Sequence, residues 1–320
     1  MTALFAGVDL GGTTIAAALA ERDGRVVVEA EIATNSHEGP SAVIHRIGQL
    51  VADLATKAGA SLQAVGIGVP GLVDVPHGVT KFLPNLPTQW REVPVAEQLR
   101  AALGCPVHLL NDVRTATLGE LTYGHGRAAT HPLTMAFFSI GTGIGGGVVV
   151  EGKLRLGPLG AAGELGHQTI LPDGPRCGCG NRGCLESLAS GPAIASEGIR
   201  LMRMGLAPKL FDLVAGNPAN VTPREMLASG DVSTREAIDR AAGFLGIAVA
   251  NVVTVLHPEL VVLGGGVAEL GEVLLIPVRD VVRQRVGMFP TDGVRIEKSQ
   301  LGERAGILGA VALAVRGGMI

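Results

Sequence analysis

Short apolar runs separated by turn residues dominate the first part of the chain. The segments "LFAGVDLG", "TTIAAALAE" and "RVVVEAEIAT" are rich in Val, Ile and Ala, and Arg22-Asp23-Gly24 separates the last two. Such runs around a short polar break predict β-strands joined by a hairpin. Residues 39–60 differ, because their apolar positions recur at helical spacing and predict one buried helical face. The positions on that face are Val43, Ile44, Ile47, Leu50, Val51 and Leu54.

After this helix the pattern returns to strands. "LQAVGIGVPGLVD" predicts a buried strand that ends in a turn at Pro70-Gly71. A second strand–glycine–strand unit, "TMAFFSIGTGIGGGVVVEGKL", begins near residue 134 and has the same plan as the first. These two units predict a duplicated architecture, with one nucleotide-facing loop in each half of the chain.

The last third predicts two helices around one more strand. "AAGFLGIAVANVVTVL" predicts a long helix that stops at His257-Pro258, "LVVLGGGV" a strand that ends in glycines, and "AGILGAVALAV" a packed helix. No low-complexity linker separates the halves, so we expect two α/β domains joined by a hinge near residue 116. This hinge divides the chain into a first domain that begins with residues 1–116 and a second that begins at residue 117.

Composition narrows the class of protein. The 320 residues are 47% hydrophobic and 17% charged, which suits two folded cores and excludes a disordered chain. The formal net charge is −3 and Lys and Arg are scattered, which argues against a nucleic-acid partner. The N-terminus has no basic start, Asp9 interrupts its apolar run, and the longest apolar run, Phe244–Leu256, is too short to span a membrane. We therefore expect a cytoplasmic protein without a membrane partner.

The glycine-rich segment "GTGIGG" fits the dinucleotide-binding pattern at Gly141, Gly143 and Gly146. A dinucleotide loop opens into a helix, whereas "VVVEGKL" follows here and predicts a strand. This context argues against a dehydrogenase. Two interpretations remain, a tight hairpin that needs positive φ and a cradle of backbone amides for phosphate. Five glycines in seven residues, together with Thr142, favour the phosphate cradle.

A second candidate loop is "DLGGTT". Asp9 ends a predicted strand, and two glycines and two threonine hydroxyls follow it. An acid beside a phosphate cradle is suited to holding Mg²⁺ between the two. The sequence contains no G-x-x-x-x-G-K-[ST], so this is not a P-loop enzyme. The loop residues are Gly11, Gly12, Thr13 and Thr14.

Three of the four cysteines form C-x-C-x₄-C at Cys177, Cys179 and Cys184, and His167 precedes them. Zn²⁺ is held tetrahedrally by such a Cys₃His set, and four protein ligands make the site structural. The alternatives are a disulfide, which would be strained across C-x-C, and three inert buried thiols. The spacing favours zinc. Cys105 is expected to be an ordinary buried thiol.

Two carboxylates flank the predicted zinc site. Glu164 and Glu186 lie just outside the ligands, so folding of the site fixes both. His167 has a second ring nitrogen that a metal leaves available for a hydrogen bond. These groups suit a polyhydroxylated ligand. The alternatives are a helix-start acid for Glu186 and a solvated loop residue for Glu164.

These motifs together resemble the ROK family of bacterial sugar kinases and regulators. The similar segments, which run almost end to end, are "GVDLGGTT", "GIGVPGLVD", "LPNLPTQW", "LLNDVRTATLGE", "SIGTGIGGGVVVEGKL", "AGELGH", "CGCGNRGCLE" and "HPELVVLGGGV". The resemblance implies an actin-like ATPase (ribonuclease H-like) fold, in which two α/β domains enclose a cleft and the last helix packs on the first domain. The domains that it implies are residues 1–116 with 303–320, and residues 117–302. It also implies ATP-dependent phosphorylation of a sugar hydroxyl, with glucose expected to give glucose 6-phosphate, and a homodimer or homotetramer.

The resemblance also implies roles for individual residues. Asp112 is the expected general base. The residues implied to bind the sugar are Asn111, Asp112, Glu164, His167, Glu186, Gly71 and Asn85. The residues implied to face the nucleotide are Asp9, Gly11, Gly12, Thr13, Thr14, Thr142, Gly143 and Gly265. The implied cofactors are ATP with Mg²⁺ and a structural Zn²⁺ held by His167, Cys177, Cys179 and Cys184.

One segment departs from the family. The usual Asn-Asp-Ala-Asn is here "NDVR", with Val113 and Arg114 in the last two places. The preferred sugar therefore stays open among glucose, mannose, allose, fructose, N-acetylglucosamine and N-acetylmannosamine. A sugar-sensing ROK transcriptional regulator is the alternative from another class. Such regulators carry an N-terminal winged helix-turn-helix, for which the position of Asp9 leaves no room.

Overall fold

The computed structural model describes residues 2–83 and 86–320, and the chain forms two compact units. Unit 1 comprises Met1–Pro132, Val148–Ala162 and Gln300–Ile320. Unit 2 comprises Leu133–Gly147 and Gly163–Ser299.

The main sheet of unit 1 has five strands in the order β3-β2-β1-β4-β7. These strands are β1 (Thr2–Leu10), β2 (Thr14–Ala20), β3 (Val26–Ala33), β4 (Ala60–Val69) and β7 (Val107–Asn111). The first three pair antiparallel, whereas β4 runs parallel to both β1 and β7. A separate antiparallel pair is formed by β5 (Leu72–Asp74) and β6 (Val79–Phe82).

Four helices pack on this sheet. They are α1 (Pro40–Ala58), α2 (Val95–Leu103), α3 (Asp112–Thr122) and α10 (Ala305–Val315). Alternate residues of β1 point to opposite faces of the sheet. Leu4, Ala6 and Val8 join the buried cluster under α1 and α2, and the intervening residues face α10. Asp9 belongs to that second face, so its carboxylate lies beside the backbone of α10 at Gly306.

Glycines allow α10 to lie directly on its neighbours. A Cβ at Gly66 of β4 would lie 2.0 Å from the carbonyl oxygen of Ala310, and one at Gly309 would lie 1.8 Å from that of Thr115 in α3. Only glycine fits at such approaches, because the obstructing atoms are backbone. This contact confirms the prediction that the final helix packs on the first part of the chain.

The second five-stranded sheet has the order β10-β9-β8-β11-β12. Its strands are β8 (Met135–Ile140), β9 (Ile144–Val150), β10 (Lys153–Leu154), β11 (Leu260–Gly264) and β12 (Arg295–Lys298). The end of β9 and all of β10 are grouped with unit 1, and the other strands with unit 2. The strand order matches that of the first sheet position by position, which confirms the predicted duplication.

The helices of unit 2 all follow the predicted zinc segment. They are α4 (Glu186–Ala189), α5 (Gly191–Arg203), α6 (Pro208–Leu213), α7 (Pro223–Ser229), α8 (Val232–Leu256) and α9 (Glu272–Arg285). The long α8 ends where predicted, with His257 at φ 43°. It is longer than the apolar run suggested, and at 25 residues it is the one helix of the described chain long and apolar enough to cross a membrane. Because 56% of its apolar 18-residue stretch is buried inside the protein, α8 is weak evidence for a membrane span.

The predicted hinge near residue 116 lies inside α3. Unit 1 therefore includes residues 117–132, because α3 packs on α10 as one element. The domain boundaries drawn from the sequence, 1–116 with 303–320 and 117–302, stay a prediction.

Candidate active site

In unit 1, the Asn111-Asp112 pair lies where β7 meets α3. Asn111 is the N-cap, and its Oδ1 accepts hydrogen bonds from the backbone N–H groups of Val113 at 3.1 Å and Arg114 at 3.2 Å. Its Nδ2 donates to the carbonyl of Gly71 at 3.1 Å. Asp112 is the first residue of the helix, and its Oδ1 accepts from the Val113 N–H at 2.8 Å. A strand end and a cap thus fix both side chains, with Asp112 at the helix end that favours negative charge.

Arg114 is buried directly behind this pair, with 2% of its surface exposed. Its Nη1 donates to Oδ1 of Asn111 at 3.0 Å, and its Nη2 donates to the carbonyls of Ala161 at 3.2 Å and Ala162 at 3.0 Å. Burying a guanidinium is costly unless acceptors surround it. Arg114 therefore joins the cap of α3 to a segment 48 residues further along the chain.

The first predicted phosphate loop turns tightly between β1 and β2. The Gly11 N–H donates to the carbonyl of Thr14 at 2.9 Å, and Thr13 and Thr14 are exposed. Thr34 is fully buried and holds the loop from the far side, since its hydroxyl donates to the Gly11 carbonyl and its N–H donates to the Thr13 carbonyl, both at 2.8 Å. The loop is therefore fixed while its threonines face outward.

Asp9 lies in β1, two residues before Gly11, and has a perturbed carboxyl group. Burial raises its pKa from 3.8 to about 6, and repulsion from Asp112 adds to the rise. Asp9 also lines a cavity of about 340 Å³ in unit 1. Two carboxylates that repel each other form a donor set suited to a divalent cation, because a cation would relieve both burial and repulsion.

Two further predicted residues belong to unit 1. Gly71 has φ 90° and presents its carbonyl to Asn111. Asn85, which is predicted to line the sugar pocket, lies outside the described residues.

In unit 2, Glu186 supports the second predicted phosphate loop. Its Oε2 accepts a hydrogen bond from the N–H of Ile144 at 2.9 Å. A Cβ at Gly143 would lie 2.5 Å from the same oxygen. The loop is also tied to the start of α5, because Gly191 donates to the carbonyl of Gly141 at 2.9 Å. Thr142, at the tip, is exposed.

The glycines of this loop serve close approach rather than positive φ. None of the five glycines between 141 and 147 has positive φ, so a hairpin that requires it is the wrong interpretation. Gly146 lies against Leu165. Gly265 does have φ 82°, and a Cβ there would lie 2.6 Å from the carbonyl of Ile140, the last residue before the loop. Unit 2 thus brings Gly265 to the second loop.

The predicted zinc ligands converge. The ligand atoms of His167, Cys177, Cys179 and Cys184 all lie within 4.8 Å of one another. Sγ of Cys177 is 3.6 Å from Nδ1 of His167, and Sγ of Cys179 is 3.7 Å from Sγ of Cys184. Metal–ligand bonds of about 2.3 Å to sulfur and 2.0 Å to nitrogen place tetrahedral ligands about 3.5–3.8 Å apart. The donor set therefore fits a tetrahedral ion, and all four cysteines of the chain are free thiols.

Without a metal, the thiols have unequal acidity. Burial raises the pKa of Cys177 and raises that of Cys184 to about 12, whereas the backbone N–H of Asn181 lowers the pKa of Cys179. A metal must displace protons from these groups to bind, because its ligands are thiolates.

The two predicted sugar carboxylates of unit 2 each lie close to a residue of this cluster. Nε2 of His167 is 4.0 Å from Oε2 of Glu164, while its Nδ1 faces Cys177. Oε1 of Glu186 is 3.7 Å from Sγ of Cys177. Through Glu186, the cluster is therefore connected to the N–H of Ile144 in the second loop.

Sequence patterns do not indicate several of these supports. Thr34 directly follows β3 and belongs to no motif, and the hydrogen bond from Ile144 to Glu186 joins residues 42 positions apart. Arg114 stands out in the sequence only as a departure from the family segment, and its bonds to Ala161 and Ala162 have no local signal.

The ROK family model matches residues 5–316. The glucokinase of Thermotoga maritima is 37% identical over 313 residues, which is 96% of each chain. The structure of a ROK family glucokinase from Streptomyces griseus in complex with glucose and AMPPNP is 32% identical, with a TM-score of 0.83 over 98% of this chain and 99% of that one. The chain belongs to the ROK family, and it has the two-domain actin-like ATPase fold of that family's glucokinases.

The family also includes regulators. The xylose repressor of Caldicellulosiruptor bescii is 31% identical over 315 residues, which cover 97% of this chain and 77% of the repressor.

Proposed function

We propose that this chain is an ATP-dependent glucokinase that transfers the γ-phosphoryl group of ATP to glucose. The observation that carries the proposal is the similarity, along almost the whole chain, to a glucokinase whose structure was solved with glucose and AMPPNP. The Thermotoga maritima glucokinase supports the same acceptor. We propose a cytoplasmic location on the same grounds.

Asp112 is proposed as the general base. Its position at the start of α3 holds the carboxylate in place through the Val113 N–H. It would accept the proton of the attacking sugar hydroxyl while the oxygen forms its bond to phosphorus and the bond to the ADP oxygen breaks. Phosphoryl transfer depends mainly on positioning and charge neutralisation, so a fixed carboxylate suffices.

The sugar-binding groups are proposed on their motifs, each within its own unit. Asn111 and Gly71 contribute from unit 1, with Glu164, His167 and Glu186 from unit 2. Carboxylates accept hydrogen bonds from hydroxyl groups, and His167 has Nε2 on the side away from Cys177. Asn85 stays among the proposed sugar ligands on the motif alone.

Two loops are proposed to bind the nucleotide. The first is Gly11 to Thr14 and the second is Thr142 and Gly143, with Gly265 packed behind the second. Asp9 would hold Mg²⁺, which supplies charge neutralisation at the phosphates when bound. His167, Cys177, Cys179 and Cys184 would hold a structural Zn²⁺, which pins the segment between Glu164 and Glu186.

An assay of ATP-dependent phosphorylation with Mg²⁺ across a panel of hexoses and N-acetylhexosamines tests the function. We expect glucose to give the highest kcat/KM, with mannose, allose, fructose, N-acetylglucosamine and N-acetylmannosamine below it. A higher kcat/KM with another sugar would correct the substrate. Sugar binding without phosphorylation of any sugar would overturn the kinase and favour a sugar-sensing regulator instead.

A further inference from the structure

The side-chain amide of Asn111 is held in one orientation by its hydrogen bonds. An asparagine side chain has one carbonyl oxygen with two lone pairs and an amide nitrogen with two N–H groups. Oδ1 of Asn111 accepts from the N–H groups of Val113 and Arg114 and from Nη1 of Arg114. These three N–H donors occupy both lone pairs of Oδ1, so this oxygen can accept no further hydrogen bond.

The reverse orientation of the amide is excluded by the same neighbours. If the oxygen and nitrogen exchanged places, the amide N–H groups would face three N–H donors, and Oδ1 would face the carbonyl oxygen of Gly71. The guanidinium of Arg114 carries permanent N–H donors, so it adds strongly to this preference. Asn111 thus donates one amide N–H to the carbonyl of Gly71. Its second amide N–H is the one that would donate to a bound sugar.

Arg114 also anchors the chain at its passage from unit 1 to unit 2. Its Nη2 and Nε donate to the carbonyl of Ala162, the last residue of the second unit 1 segment. Gly163 and Glu164 follow directly in the sequence. The side chain that orients Asn111 therefore also fixes the residue two positions before Glu164.

We propose that Arg114 is a positioning residue for sugar binding. It holds Asn111 as a hydrogen-bond donor to a sugar oxygen, and it fixes the start of the segment that carries Glu164. The usual family segment has asparagine at this position, so the arrangement departs from that segment. The inference rests on the proposed function, because it concerns the same sugar site.

Two substitutions at Arg114 test this role. Arg114→Met removes every donor of the guanidinium while keeping a long side chain, and Arg114→Lys keeps the charge without the planar fork. The measurements are the Kd for D-glucose by calorimetry without nucleotide, the KM values for glucose and ATP, and the Tm. For Arg114→Met we expect the Kd and KM for glucose to rise about tenfold or more, with the KM for ATP changed less than about twofold. Arg114→Lys should lie between the wild type and Arg114→Met.

Arg316→Met is the matched control. Arg316 is a partly buried arginine of unit 1 that donates to the hydroxyl of Thr122, at the opposite end of α3 from Asn111. Arg316→Met should lower the Tm without changing the Kd for glucose by more than about twofold, because the hydrogen bond that it removes lies at the far end of α3. A rise in both KM values in step with the loss of Tm, in either Arg114 variant, would indicate a merely structural role and would overturn the proposal.

If the Arg114 variants do not fold, Asn111→Asp tests the donor role of the Asn111 amide instead. An aspartate still caps α3 and accepts from Arg114, but it has no N–H for Gly71 or for a sugar. We expect its Kd for glucose to rise about tenfold or more, and an unchanged Kd would overturn the donor role. Failure of the wild type to phosphorylate any sugar would refute the proposed function. An unchanged Kd in folded Arg114→Met, beside an active wild type, would refute only this inference.

Discussion

Asp9 carries a perturbed carboxyl group, and its pKa of about 6 follows from burial and from the charge of Asp112. A raised pKa means that the folded protein binds this proton more tightly than the unfolded chain does. Ionised Asp9 therefore destabilises the fold at pH values above about 6, and this cost disappears as the pH falls toward the unfolded pKa of 3.8.

Asp9→Asn removes this ionisation. Without Mg²⁺ or nucleotide, we expect it to raise the free energy of unfolding by about 2 kcal/mol at pH 7, with a gain that shrinks as the pH falls from 6 toward 4. Urea unfolding measured across this range checks the expectation. The control is Asp53→Asn, at an exposed aspartate of α1, which should change stability little at any pH. A gain that is the same at pH 4.5 and pH 7 would contradict the explanation.

Asp112→Asn tests the base itself. The amide oxygen can still accept from the Val113 N–H, so α3 should keep its start. We expect kcat to fall by about 10²–10⁴-fold because no group accepts the hydroxyl proton, while glucose binding changes little. A coupled assay and calorimetry separate the two quantities. Near-normal turnover would exclude Asp112 as the base.

Among the elements, α10 depends on glycine where it crosses α3. A Cβ at Gly309 would lie 1.8 Å from the Thr115 carbonyl, and a backbone atom of a helix cannot move away cheaply. We expect Gly309→Ala to lower the stability of unit 1 by about 3 kcal/mol or more.

Gly243→Ala provides the matched control in a helix. Gly243 lies within α8, and a Cβ there would meet no atom of the described residues outside its own helix within 4 Å. Alanine should therefore stabilise the helix by about 0.5–1 kcal/mol. Scanning calorimetry should show opposite shifts in Tm for the two variants. Equal shifts would mean that helical propensity, rather than the approach of α10 to α3, decides both.

The cysteine-rich segment gives a second prediction at this scale. We expect about one zinc per chain by elemental analysis, and Cys184→Ser should lose it because three ligands hold zinc far more weakly than four. Cys105→Ser, at a buried thiol of unit 1 outside the cluster, should keep the metal. Zinc retained in full by Cys184→Ser would rule out the proposed ligand set.

Local patterns predicted these elements well. The alternation that places Ala6 and Val8 on one face of β1 and the helical spacing of α1 are properties of neighbouring residues, so the sequence contains them. The four predicted zinc ligands are close together in the structure, as their local spacing suggested, and their role as ligands stays a prediction. The hydrogen bonds that hold the candidate site in place could not be predicted this way. Those of Thr34, Arg114 and Glu186 join residues that are distant in sequence.

At the scale of the whole molecule, ligand binding should raise stability. D-glucose at about 100 times its Kd should add about 2.7 kcal/mol to the free energy of unfolding, provided that it binds only the folded protein. Thermal denaturation with D-glucose and with its enantiomer L-glucose measures this. L-glucose should give a much smaller shift in Tm, and equal shifts would indicate a solvent effect rather than a sugar site.

The duplicated strand order is the part of the complete fold that the sequence predicted. Two strand–glycine–strand units indicated two similar halves, and the orders β3-β2-β1-β4-β7 and β10-β9-β8-β11-β12 agree. The compact units were harder to predict, because residues 148–162 join unit 1 although they follow the first strands of unit 2. That assignment depends on tertiary contacts such as those of Arg114.

The glycine-lined face under α10 has a consequence for synthesis. Residues 305–315 leave the ribosome after every residue of unit 2, which ends at Ser299. Until these residues are in place, the face of β1 and β4 around Gly7 and Gly66 lacks its cover. A nascent chain halted before residue 305 would therefore expose apolar residues of this face that α10 otherwise covers, such as Phe5 and Ala64.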